Sequence, residues 1–94
     1  MRIRHIIWLP EIEDKLFHKH QVLVEEVEEV LFDNPHVRFV EKGHQEGEDL
    51  YAAYGQTAAG RWLIVFFVLK DGRVALIISA RDMGQKERRL YGKR

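Results

Sequence analysis

Apolar residues recur along the chain first at helical spacing and then at strand spacing, and the change of period divides it. Met1 to Leu9 alternates loosely, which predicts a short strand, suited to a sheet edge. Pro10 fits the first turn of a helix, where its missing N–H has no partner to lose. Ile12 and Leu16 lie four apart with carboxylates between them, predicting a short amphipathic helix that ends near His18 to Gln21. A second helix follows, in which Leu23, Val24, Val27, Val30 and Leu31 form one stripe and Glu25, Glu26, Glu28 and Glu29 face water. Asp33-Asn34-Pro35 stops it.

Beyond that point the pattern is that of strands. His36 to Val40 predicts one, the polar run Lys42 to Gly47 a loop, and Asp49 to Tyr54 a second. Ala58-Ala59-Gly60 reads as a turn before Trp62 to Leu69, which is apolar at every position and so is expected at the centre of the sheet, covered on both faces. Lys70-Asp71-Gly72-Arg73 carries the Asp-Gly signal of a tight hairpin leading into Val74 to Ala80. A last helix is expected from about Asp82 to Tyr91. The fold class is therefore α+β: a short N-terminal strand, two helices, an antiparallel β-meander and a C-terminal helix. With no linker, repeat or low-complexity stretch, residues 1–94 are expected to form a single domain.

Charge changes this picture more than composition does. The formal net charge is zero, yet the last seventeen residues hold six basic against two acidic side chains, and residues 11–33 hold eight acidic against two basic. The molecule is thus polarised, with a basic C-terminal end. The chain has no cysteine, which removes disulfides and thiolate metal sites and suits a reducing cytoplasm. Its N-terminal apolar stretch is too short for a membrane span or a signal sequence.

Candidate chemistry concentrates in three places. On the last helix Met83, Glu87 and Tyr91 share a face directed at the protein, so Glu87 either pairs with Arg81 as a structural ion pair or joins it in flanking a phosphate-handling cleft. Arg88 and Arg89 lie on the outer faces, where they are either a solvated surface or a contact for a polyanion. In His18-Lys19-His20 the two histidines diverge by about 200° on a helix and do not clamp one metal ion, so no metal site is expected. Lys19 and His20 have the chemistry for proton exchange near neutral pH, although helix-end residues are ordinarily solvated. No glycine-rich phosphate loop or serine elbow is present, and Trp8, Tyr51, Tyr54 and Trp62 read mainly as core.

Lys19-His20 and Val22 stand before a Glu-rich helix ending Leu31-Phe32-Asp33, and Gly47-Glu48, Gly55, Gly60-Arg61, Ile77-Ile78-Ser79-Ala80-Arg81, Glu87-Arg88 and Tyr91 follow. In order and separation these pieces resemble the BrnT toxins of bacterial type II toxin–antitoxin systems. The resemblance implies a RelE-like fold, a cytoplasmic endoribonuclease that needs no metal or other cofactor and inhibits translation, and neutralisation by a BrnA-like antitoxin. Operator DNA would be met only through the antitoxin complex, membranes not at all, and a homo-oligomer is compatible with it. On this reading Arg61 and Arg81 stabilise phosphate, Glu87 or His20 is the base, Lys19 supplies charge or a proton, and Arg88, Arg89 and Tyr91 contact RNA. The chain departs from the family at Trp8-Leu9-Pro10, which lacks an acid, and at Gln21. Leu50 and Leu76 stand where arginines are common. A module that binds its antitoxin and regulates the operon without catalysis is the alternative.

Overall fold

The computed structural model describes residues 2–71 and 73–92. Eight elements follow in order: β1 (His5–Ile7), α1 (Pro10–His20), α2 (Val24–Phe32), β2 (His36–Glu41), β3 (Leu50–Gln56), β4 (Trp62–Lys70), β5 (Val74–Asp82) and α3 (Gln85–Tyr91). The five strands form one sheet in the order β1-β5-β4-β3-β2. The meander from β2 to β5 is antiparallel throughout, whereas β1 lies parallel to β5, with Ile6 opposite Ala75. The sheet is therefore mixed, and the α+β layout stands as the hydrophobic periods predicted.

α1 and α2 cover one face of the sheet. Leu16 of α1 and Val27, Val30 and Leu31 of α2 meet Ala53, Leu63, Val65, Phe67, Ala75, Ile77 and Ala80 of the strands, all at 3% exposure or less. Burying a side chain such as Phe67 contributes about 1.5–3 kcal/mol, so this layer carries most of the stability. At Gly55 an added Cβ would lie 3.0 Å from Val30 Cγ1 and would press Val30 aside, and its absence lets α2 approach β3.

The opposite face is covered only at one end. There Met83 and α3 close over Ala52 and Ile64, with Tyr54, Trp62, Phe66 and Tyr91 around them. β4 is thus the central strand, with Leu63 and Val65 under the helices and Ile64 under α3.

Local details differ from the sequence expectation in three ways. β5 continues through Asp82, which pairs with Leu63, and α3 begins three residues later than expected, at Gln85. The cause is cross-strand bonding: Met83 N–H donates to the Trp62 carbonyl, which keeps the chain extended past Ala80. At the start of α2, Leu23 is 47% exposed and Val22 takes the buried place instead. Of the glutamates expected to face water, Glu26 and Glu29 are engaged by Arg61 and by the Ala58 N–H. Gly72 of the predicted hairpin, and Lys93 and Arg94 of the basic end, lie outside the described residues.

Candidate active site

Arg81 projects from the end of β5 on the face that α3 covers. Its Nη1 and Nη2 each lie 3.0 Å from a carboxylate oxygen of Glu87, an end-on bidentate pair. Nη1 also donates to the Asp82 carbonyl. Glu87 is placed by the first turn of α3, where its Oε1 accepts the Gly84 N–H at 2.7 Å. The bond to Glu87 raises Arg81 above its ordinary value, and the same bond, with help from Gly84, holds Glu87 below the usual carboxylate range. The pair is ionised at neutral pH. A guanidinium has five N–H donors, and three of Arg81's are engaged by described residues. The Nε–H and one Nη2 N–H have no acceptor among the described residues, and the side chain is 41% exposed.

An aromatic cluster seats α3 beside this pair. Tyr91 stacks on Tyr54 with ring centroids 4.0 Å apart and meets His36 at a tilt, with centroids 4.9 Å apart. Arg38 Nη1 donates to the Tyr91 hydroxyl at 3.0 Å, which raises Arg38 above its ordinary value. Burial and the neighbouring Tyr91 push Tyr54 upward. His36 and Arg38 belong to β2, three strands from Arg81, and their chain neighbours gave no sign of this role. The cross-strand partners His36–Tyr54 and Arg38–Ala52, together with α3 crossing the sheet end, bring them in.

Arg61 opens the other side of the same strand end. It leaves the β3–β4 turn, whose ends are tied by Thr57 N–H to the Arg61 carbonyl and by Arg61 N–H to Thr57 Oγ1. All five of its side-chain donors are engaged: Nε and Nη2 with the two Asp82 carboxylate oxygens, Nη1 with Glu26 Oε1 and the Gln21 carbonyl, and Nη2 also with the His20 carbonyl. The bond to Asp82 raises Arg61 and holds Asp82 below the usual carboxylate range.

Lys19 and His20 end α1, and Gln21 turns the chain with a left-handed φ of 52°. With Ser79 and Ile78 they line a cavity of about 240 Å³ along the free edge of β5. A bulge between Phe66 and Phe67 and their partners puts Ile78 out of register there. Ser79 is opposite Phe66, two residues before Arg81, so this cavity adjoins the Arg81 face. Arg88 and Arg89 line a separate cavity of about 570 Å³ with Trp62 and Met83 on the far flank of α3.

Leu50 and Leu76 lie on either side of Val68 of the central strand. Leu50 pairs with Val68, Val68 with Leu76, and Leu76 with Ile7, so an apolar row crosses the open part of the face. Among the described residues no three His, Asp or Glu side chains gather as metal ligands, and no helix is long and apolar enough to cross a membrane.

Two arginines and a histidine–lysine corner thus gather around one strand end, and of the two guanidiniums that of Arg81 keeps donors that described residues do not engage. No curated protein sequence matches the chain. The family model of the ribonuclease toxin BrnT of type II toxin-antitoxin systems matches residues 8–87, from Trp8 through Glu87. That span includes Lys19, His20, Arg61, Arg81 and the glutamate that holds Arg81, and the chain belongs to the BrnT family of ribonuclease toxins.

Proposed function

We propose that residues 1–94 form a single toxin domain that cuts RNA at the end of β5 without a metal ion and so blocks translation in the cytoplasm. The observation that carries this reading is the donor edge of Arg81, left unengaged by described residues while Glu87 fixes the rest of the guanidinium. A side-on fork of Nε–H and Nη2–H matches two non-bridging oxygens of a phosphodiester, where charge grows in the transition state.

The RNA's own 2′-hydroxyl is the nucleophile. His20 takes its proton, the 2′-oxygen bonds to phosphorus, and the 5′-oxygen leaves with a proton from Lys19, giving a 2′,3′-cyclic phosphate and a 5′-hydroxyl. Glu87 is unsuited to be the base, since its oxygens accept three hydrogen bonds and its affinity for a proton is depressed. Its part is to orient Arg81. Arg88 and Arg89 extend the positive surface along α3 for RNA beyond the cut site, and Tyr91 holds that helix to the sheet.

A BrnA-like antitoxin neutralises the protein by covering this basic face, and operator DNA is met through that complex. The test is the product and the rate of cleavage. The parent should give 2′,3′-cyclic phosphate ends, and His20→Gln should lose most of the rate while still binding RNA. A rate unchanged in His20→Gln would assign the base elsewhere.

A further inference from the structure

We infer that Arg61 is a positioning residue: its guanidinium locks the last turn of α1, which carries Lys19 and His20, to the end of β5, which carries Arg81. This rests on the ribonuclease reading above and departs from the expectation that Arg61 holds phosphate.

The donor count decides it. All five Arg61 N–H groups have protein acceptors at 2.7–3.1 Å, so a phosphate could enter only by displacing one. The side-on fork, the edge that Arg81 leaves open, is closed in Arg61 by the Asp82 carboxylate. Charge points the same way. Glu26 lies 2.9 Å and Asp82 2.8 Å from the guanidinium, so two carboxylates surround one cation and the local field repels an approaching phosphate.

The acceptors belong to three separate parts of the chain. The His20 and Gln21 carbonyls end α1, Glu26 lies in the first turn of α2, and Asp82 ends β5. Glu26 Oε1 also accepts the Leu23 N–H, so the α1–α2 corner is held at both its carbonyls and its capping carboxylate. Asp82 passes the constraint on, because its carbonyl accepts from Arg81 Nη1 while its carboxylate is held by Arg61. Removing Arg61 therefore loosens the base corner and the phosphate fork relative to each other without removing either. A displacement of 1 Å between reacting groups costs about 100-fold in rate.

The experiment measures cleavage in EDTA, with kcat and KM, and the binding of a labelled single-stranded RNA oligonucleotide across a salt series. It compares the parent with Arg61→Ala, Asp82→Asn and Arg81→Ala, each checked for fold by circular dichroism. Arg81→Ala should lower the slope of log affinity on log salt by about 0.7, the loss of one phosphate contact on a single strand. Arg61→Ala should leave that slope and KM unchanged while kcat falls about tenfold or more. A slope lowered by about 0.7 in Arg61→Ala would overturn the inference. Should Arg61→Ala fail to fold, Asp82→Asn decides: tighter RNA binding through a released Arg61 overturns it, and lost kcat without gain in affinity supports it. A parent that neither binds nor cuts RNA sinks the ribonuclease reading instead. Hydrogen exchange then tests the inference alone, since Asp82→Asn must speed exchange at Gln21 and Val22 across the Arg61 link, and unchanged exchange overturns it.

Discussion

Arg61 and Arg81 grip Asp82 from opposite ends, the first by its carboxylate and the second by its carbonyl. The two arginines differ in what is left over. Arg61 has every donor engaged, whereas Arg81 keeps an open edge beside its bond to Glu87. Replacement of Arg81 should therefore act on chemistry with the fold intact. Arg81→Ala is expected to lower kcat about 100- to 1,000-fold, the cost of losing one donor group aimed at developing charge. Arg81→Lys should recover little of it, because an ammonium has no planar fork. Single-turnover cleavage rates of the three proteins check this.

Glu87 provides a pH test of stability. Its folded-state affinity for protons is depressed by Arg81 and by the Gly84 N–H, so its contribution is present above the ordinary glutamate range. It is lost as pH falls through the lower folded value. Asp82 has the same sign through Arg61. Urea unfolding of parent and Glu87→Gln at pH 7 and at progressively lower pH should show a difference at neutrality that shrinks in acid. A difference that grows in acid would refute the assignment.

Tyr91 separates packing from hydrogen bonding. Tyr91→Phe keeps the stack on Tyr54 and loses only the exposed bond from Arg38, so it should cost less than about 1 kcal/mol. Tyr91→Ala removes the anchor of a seven-residue helix that has no fully buried side chain. Its last turn should fray, releasing Tyr54 and Trp62 to solvent. Tryptophan fluorescence and hydrogen exchange along residues 85–91 report this directly.

The helix-covered layer should fail first under core truncation. Phe67→Ala removes a fully buried ring stacked on Tyr51 at 5.8 Å, and about 3–5 kcal/mol of stability is expected to go with it. Gly55→Ala should cost about 1–3 kcal/mol, because its new methyl group meets Val30 at the α2–β3 contact. Chemical denaturation midpoints check both values.

Local pattern carried the element order. The spacing of Val27, Val30 and Leu31 requires a helix, and the unbroken apolar run of β4 requires a central strand, although its second face is covered only at the α3 end. Spacing by four with Tyr91 turned Glu87 toward the protein, where its pairing with Arg81 was one of two readings, whereas Met83 lies before α3 and does not share its helical face. Long-range pairing was not legible. The parallel contact of β1 with β5 depends on a register between residues far apart in sequence, as does the meeting of His36 and Arg38 with Tyr91. The place of Arg61 was hidden for a related reason: residue type shows that it carries five donors, and only three-dimensional placement shows that all are occupied. The extension of β5 through Asp82 was missed because a cross-strand bond to Trp62 outweighs local helix propensity.

Metal-free cutting of RNA at Arg81, as proposed, is open to a simple assay. RNA is incubated with the purified protein in EDTA, with and without ribosomes, beside Arg81→Ala prepared identically. Cleavage by the parent should survive EDTA and disappear in Arg81→Ala. Intact RNA in every lane from folded protein, or cleavage that Arg81→Ala leaves unchanged, would contradict it.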